Sequence, residues 1–397
     1  MRIELDAPVE YLGTEAGEPA EGIALCLSGG GYRAMLFHLG VLWRLAEMGY
    51  LSEENHTGLD GTLGTLERIS SVSGGSITSA LMGLRWQQLR IGRPDSLTRF
   101  VRDVVTPIRG LADKTIIAIG SGLRTMLLPG SINDHVAKKY RKHLFGDATL
   151  QHLPDHPRFV INATNLQSGA LWRFMKPYMR DWKVGKVENP KISIARAVAA
   201  SSAFPPFLSP ARFKIAASAY KPNTGGDGPD DLQRPPFTTR PVLSDGGVYD
   251  NLGLETAWKR YKTILVSDAG GQMQPQQKVA TGWARQSYRV LSVIDHQVRS
   301  LRKRHLINSY IKKRRSGAFW GIRTDIGDYR TPGALPCPHD KTMALARTPT
   351  DLAKKDPVLQ ERIINWGYAV CDAAMRRYVD SAPLPPPGFP YPASGVG

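Results

Sequence analysis

The chain alternates between short apolar runs and longer segments whose apolar residues return at helical spacing. Ile23–Leu27 (IALCL) is an apolar run of strand length, closed by a glycine turn. Within Arg33–Met48, Met35, Leu39, Leu42 and Leu45 recur every three to four residues, which places them on one helix face. The same order then repeats: Leu66–Val72 predicts a strand, glycines follow, and Ile77–Leu89 predicts a helix. Arg158–Ala163, Pro241–Ser244 and Lys262–Ser267 are further strand candidates. Ile192–Ala200 predicts a helix that stops before Phe204-Pro205-Pro206, because proline lacks an N–H and clashes with the preceding turn. Strands alternating with helices predict an α/β fold, a layered α/β/α arrangement around a central, mostly parallel sheet.

Some stretches fall outside that rhythm. Residues 1–21 read as a lead-in, leaving 22–381 as the domain proper. Residues 93–155 mix Ile116-Ile117, Leu127-Leu128 and the basic run Lys138–Lys142, and are expected to form an inserted cap or lid. Residues 217–236 are rich in Gly, Pro and Asp and predict a flexible surface loop. The proline-rich tail, 382–397, is expected to lie outside the core.

Composition adds two points. With 42% apolar and 22% charged residues in 397, the chain has the makeup of a folded globular protein. Cys26, Cys337 and Cys371 are odd in number, far apart and without CxxC spacing, which argues against a disulfide framework and a structural zinc site. The N-terminus has no apolar core preceded by positive charge, and no apolar stretch reaches the ~18 residues of a membrane span. The expectation is a cytoplasmic protein, peripherally associated with membranes.

The second point is charge. A net charge of +17 draws the chain to polyanions, either nucleic acid or an anionic membrane surface. The excess is concentrated: Arg289, Arg299, Arg302, Lys303, Arg304, Lys312, Lys313 and Arg314 face a single acid, Asp295. Val290, Leu291, Ile294, Val298, Leu301, Ile307 and Ile311 interleave at helical spacing. One reading is a basic amphipathic helix lying on anionic lipid; the other is a surface helix with its apolar side in the core. Nucleic acid is not expected, because no recognisable DNA- or RNA-binding motif is present.

Three short motifs carry chemistry. Ser28-Gly29-Gly30-Gly31-Tyr32-Arg33-Ala34 lies between a strand and a helix, so its backbone N–H groups converge where the helix dipole favours negative charge. Such a cradle holds either a phosphate or the oxyanion of an acyl-transfer intermediate, and neither the GxGxxG nor the P-loop pattern is present. Ser71-Val72-Ser73-Gly74-Gly75-Ser76 suits a nucleophile elbow, with Ser71 where GxSxG has its first glycine; a plain helix N-cap is the alternative. Leu243-Ser244-Asp245-Gly246-Gly247 ends a strand with an aspartate, which serves either as a base or to close a turn.

Taken in order, SGGGYRA, SVSGGS and SDGG resemble the patatin-like phospholipase family and the related cytosolic phospholipase A enzymes. Ile161–Gly169 (INATNLQSG) and Ala195–Phe207 (ARAVAASSAFPPF) extend the resemblance, which covers roughly Gly22 to Gly271. It implies a lipid acyl hydrolase of phospholipase A or lysophospholipase type. Ser73 would be the nucleophile and Asp245 its base, with Gly30 and Gly31, joined by Gly29, as oxyanion donors. Arg33 would meet the lipid phosphate, and the dyad chemistry needs no metal or cofactor. The substrate implied is a phospholipid or other lipid ester at an anionic membrane surface. A non-phospholipid esterase with the same dyad and a catalytically silent membrane-binding scaffold remain alternatives. A Ser–His–Asp triad would need His296, His305 or His339, none of which sits in a signature. Asp268, a second strand-end Asp-Ala-Gly-Gly, is read as structural.

Overall fold

A computed structural model describes residues 19–52, 54–59, 61–117, 131–221, 232–279 and 281–397. The lead-in expected over 1–21, the Leu127-Leu128 part of the expected cap and the middle of the expected loop at 217–236 lie largely outside the described residues.

The chain opens with β1 (Ala20–Leu27), α1 (Gly31–Glu47), a small antiparallel pair β2 (His56–Gly58) and β3 (Gly61–Gly64), then β4 (Leu66–Val72) and α2 (Gly74–Leu89). A helical stretch follows, α3 (Ser96–Phe100), a π-helical turn (Val101–Val105) and α4 (Thr106–Ala112), and later α5 (Ile132–Tyr140). The strands β5 (Arg158–Asn165), β6 (Leu171–Phe174), β7 (Tyr178–Asp181) and β8 (Gly185–Glu188) lead to α6 (Ile194–Ser201). After β9 (Ala211–Arg212), β10 (Tyr220–Lys221) and β11 (Val242–Asp245) come α7 (Gly247–Asp250), α8 (Glu255–Trp258) and β12 (Tyr261–Asp268). The remainder is α9 (Trp283–Ile311), β13 (Ser316–Gly321), α10 (His339–Ala346) and α11 (Pro357–Tyr378).

Among the described residues the main sheet has eleven strands. Its centre, in the order β5-β4-β1-β12-β13, is wholly parallel. A meander, β6-β7-β8-β10, extends it antiparallel from β5. Helices pack on both faces, and this is why β1 and β12 read as unbroken apolar runs rather than alternating ones. The expected α/β/α layering with a mostly parallel centre is what the chain adopts.

Helix α1 is buried all round because α11 covers the side turned away from the sheet. The contact is close: a methyl group on Gly40 would lie 1.9 Å from the Ile364 carbonyl oxygen. The polar side chains this encloses are matched, Arg44 reaching Asp372 at 2.8 Å and the Leu384 carbonyl at 2.8 Å.

Two peripheral segments differ from expectation. Within 93–155, Phe100, Val104, Ile108, Leu111, Val136 and Tyr140 enter the same core as the sheet, so these described residues are layer rather than cap. The tail also docks: Asn365 Nδ2 donates to the carbonyls of Tyr391 (2.8 Å) and Gly395 (2.7 Å), and Val396 is buried. Proline prevents a helix there but not packing, and the aromatic rings of Phe389 and Tyr391 supply the apolar area.

Candidate active site

Register brings the serine and the aspartate together. β4 runs parallel to β5 and ends with Val72 opposite Asn162. β11 arrives from the other direction, antiparallel to β5, with Asp245 opposite Ala163. Ser73 and Asp245 therefore meet end to end beside one strand. The Ser73 hydroxyl lies close enough to the Asp245 carboxylate to favour its ionised form, and Gly247 N–H donates to Asp245 Oδ1 at 2.7 Å.

Ser73 sits on a strained turn, with φ 51° and ψ −120°, a conformation that costs an L-residue about 1–3 kcal/mol. Surrounding bonds over-determine it. Ser73 N–H donates to Ser201 Oγ at 2.9 Å, and Ser76 and Ser201 hydroxyls share a bond of 3.0 Å. Asp245 is held likewise: its N–H donates to the Ala203 carbonyl at 2.9 Å, and Thr164 Oγ1 donates to its carbonyl at 2.8 Å. Ser201, Ala203 and Thr164 were not singled out from the sequence. They lie in the ARAVAASSAFPPF and INATNLQSG segments, which were the available signal.

The glycine cradle is seated against this pair. Gly74, the first residue of α2, packs on Gly31, the first of α1; a methyl group on Gly74 would lie 2.1 Å from the Gly31 carbonyl oxygen. Two helix N-termini, each with free N–H groups and a positive dipole end, thus converge. Gly30 has φ 146°, open to glycine and strained for other residues. Among the described residues no acceptor takes the N–H of Gly30 or Gly31, whereas Gly29 N–H donates to the Asn251 carbonyl at 3.1 Å. That bond removes Gly29 from the expected donor set.

The electrostatics distinguish the two strand-end aspartates. Burial, opposed by Gly247 N–H and the Ser73 hydroxyl, raises Asp245 from 3.8 to about 7, and the charge of Asp295 on α9 adds to the rise. Asp268 is equally buried, but Lys303 and Arg299 outweigh that burial and hold it well below the usual carboxylate range. It is an ion-pair partner, at 3.7 Å from Arg299, and accepts from Gly270 N–H at 2.9 Å.

Arg33 is also placed differently from expectation. Its guanidinium is buried and donates to the carbonyls of Ala269 (2.9 Å), Ala346 (3.1 Å) and Thr348 (2.6 Å). A side chain spent on backbone carbonyls ties the cradle to the C-terminal segment and is not turned toward a lipid phosphate. Among the described residues no histidine bonds Ser73 or Asp245. His38 is buried, bonded to Ser267 Oγ and the Ser28 carbonyl, both at 2.9 Å, and burial lowers it to about 4. Its Nε2 therefore carries the proton and donates to Ser28. His339 is half-exposed near Asp325, at 4.0 Å. Among the described residues no group of three or more His, Cys, Asp or Glu is arranged to hold a metal ion, and no helix is long and apolar enough to cross a membrane.

Residues 25–258, more than half of the chain, match the family model described as patatin-like phospholipase. Among solved structures, human GIVD cytosolic phospholipase A2 is similar at 13% identity and a TM-score of 0.48, over 90% of this chain and 61% of that one. The same human protein in complex with methyl gamma-linolenyl fluorophosphonate is similar at 14% identity and a TM-score of 0.47, over 90% and 58%. VipD from Legionella pneumophila is similar at 14% and 0.37, over 91% and 68%. The chain thus spans about three fifths of the human enzyme's length. No curated protein sequence matches it.

Proposed function

The chain belongs to the patatin-like phospholipase family, and we propose that it is a serine lipid acyl hydrolase of phospholipase A type working through a Ser73–Asp245 dyad. The observation that carries the reading is the juxtaposition, beside β5, of a hydroxyl on a strained turn and a buried carboxylate raised to about 7. An ordinary aspartate, near ~3.9, is too weak a base for a hydroxyl; one near 7 is still ionised around neutrality and is far more basic.

In this mechanism Ser73 Oγ attacks the ester carbonyl carbon while its proton passes to Asp245. The oxyanion is received by the N–H groups of Gly30 and Gly31, at about 2.7–4 kcal/mol per donor. As the carbon–oxygen bond breaks, Asp245 returns the proton to the departing alcohol, leaving an acyl group on Ser73. Water then attacks that acyl group and gives a proton to Asp245. Collapse releases the fatty acid and restores the Ser73 hydroxyl. No metal enters these steps. The substrate proposed is a phospholipid or related lipid ester, met at an anionic membrane surface.

Fatty-acid release from vesicles containing anionic phospholipid, by wild type, Ser73→Ala, Asp245→Asn and His339→Ala, tests the proposal. Release by wild type and His339→Ala, and none by the other two, is the expected pattern. Loss of release in His339→Ala as well would replace the dyad with a triad.

A further inference from the structure

Helix α9 is inverted relative to an ordinary surface helix. Its charged side faces inward: Arg299 Nη1 donates to the Gly271 carbonyl at 2.7 Å, Lys303 pairs with Asp268, and Arg302 meets Glu255 at 3.3 Å and Asp250 at 3.9 Å. Its apolar side faces out. Trp283 is 83% exposed, Val290 51%, Leu291 62%, Ile294 50% and Leu301 53%. At about 100° per residue these five span about 100° of the helix, on the side opposite Arg299 and Lys303, with Arg302 at the edge beside Leu291.

Direction matters as much as face. Tyr310 hydroxyl donates to the Ile264 carbonyl, Lys303 reaches Asp268, and Arg299 reaches Gly271. Going backward along α9 therefore follows β12 toward its C-terminal end, the end at which β1 and β4 deliver the cradle and Ser73. Residues before Arg299 continue past that end by roughly 24 Å at ~1.5 Å per residue. Asp295, on this stretch, is near enough to influence Asp245.

We propose that the projecting part of α9, Trp283–Leu301, is a membrane-docking element that seats its apolar face in an anionic lipid surface and turns the Ser73 mouth toward the bilayer. The proposal rests on the lipid-hydrolase reading for its purpose but not for its geometry. Charge chooses lipid over a second protein surface. Arg285, Arg304, Lys312 and Lys313 are exposed on the helix or just beyond it, against Asp295 alone within it, in a chain of net charge +17. Exposed aliphatic and tryptophan side chains flanked by basic ones suit the boundary between acyl chains and anionic headgroups. Phe204, Phe207 and Val248, exposed beside Ala203 and Asp245, give the catalytic end an apolar rim of its own.

The experiment uses the full chain and a variant carrying Leu291→Glu with Ile294→Glu. Both positions face solvent, so the fold is expected to survive, and a circular-dichroism melt checks that it does. Three measurements are made: sedimentation with phosphatidylcholine–phosphatidylserine vesicles, fatty-acid release from them, and hydrolysis of a short nitrophenyl ester in solution. The variant is expected to lose vesicle partitioning and vesicle hydrolysis by at least about tenfold, the change due to losing one apolar anchor. Its kcat/KM on the soluble ester is expected to stay at the wild-type value. Blue-shifted fluorescence on vesicle addition, missing in Trp283→Phe, is the second expected signature.

Unchanged partitioning of the double variant would overturn the proposal. Equal wild-type partitioning on vesicles of phosphatidylcholine alone would overturn its electrostatic part. A wild-type dimer that the same double change dissociates would reassign the face to a second copy. Partitioning without hydrolysis of any ester would leave α9 as the docking element while removing the hydrolase reading, so the two failures are distinguishable.

Discussion

Replacing Asp245 with asparagine should make the protein more stable as well as inactive, and the gain should depend on pH. Asp245 is buried and raised from 3.8 to about 7. Between those values the native protein holds a proton that the unfolded chain has released. Stability from this group is therefore complete below about pH 3.8 and lost as pH rises through about 7. At about 1.36 kcal/mol per pH unit the whole loss is about 4 kcal/mol. Asparagine keeps the shape and never ionises. Urea unfolding of both proteins near pH 5 and pH 8 should show the difference moving by about 3 kcal/mol in the variant's favour. In the same range, wild-type kcat/KM on a soluble ester should rise about tenfold per pH unit below 7 and then level off. A difference in stability that does not change with pH would refute the reasoning, because Asp245 would then be an ordinary carboxylate and too weak a base.

Two further outcomes follow from the geometry. Ser73→Gly and Ser73→Ala both remove the hydroxyl, yet glycine accepts φ 51° without strain, so its urea midpoint should correspond to about 1–3 kcal/mol more stability than alanine's; equal midpoints would mean the turn is not strained. Asp268→Ala should cost about 3–5 kcal/mol in thermal or urea unfolding, because Lys303 and Arg299 are left without their buried partner; a silent change would show that the ion pairs are incidental.

The parts of the molecule legible in the sequence were those in which short-range physics is decisive. Leu66–Val72 is a strand to the residue because Gly64 before it and Gly74-Gly75 after it punctuate the run. Glycines 29–31 were readable as an anion cradle because a run without Cβ atoms at a helix start lets backbone N–H groups converge. The direction of β11 was not readable: four residues carry no register information, and only pairing with β5 reveals that it opposes β4. The spending of Gly29 N–H on Asn251 and of Arg33 on three carbonyls was hidden for the same reason, since the partners are distant in sequence. On α9 the apolar stripe was legible but its direction was not. Helical spacing says that two faces differ, and only the tertiary ion pairs say which one turns inward.

The burial of α1 against α11 bears on how the protein is made. Ser73, Asp245 and the glycines of the cradle are all translated before residue 258, within the stretch that matches the family model. Yet α1, which carries Gly31 at its tip, is covered largely by Pro357–Tyr378, and the cradle is fastened to Ala346, Thr348 and the Asp351 carbonyl. A nascent chain that has emerged only as far as the aspartate thus holds every reactive group without a fixed seat for them. On the proposed reading, a chain cut before Pro357 is expected to hydrolyse no soluble ester although it keeps Ser73, Asp245 and the glycines.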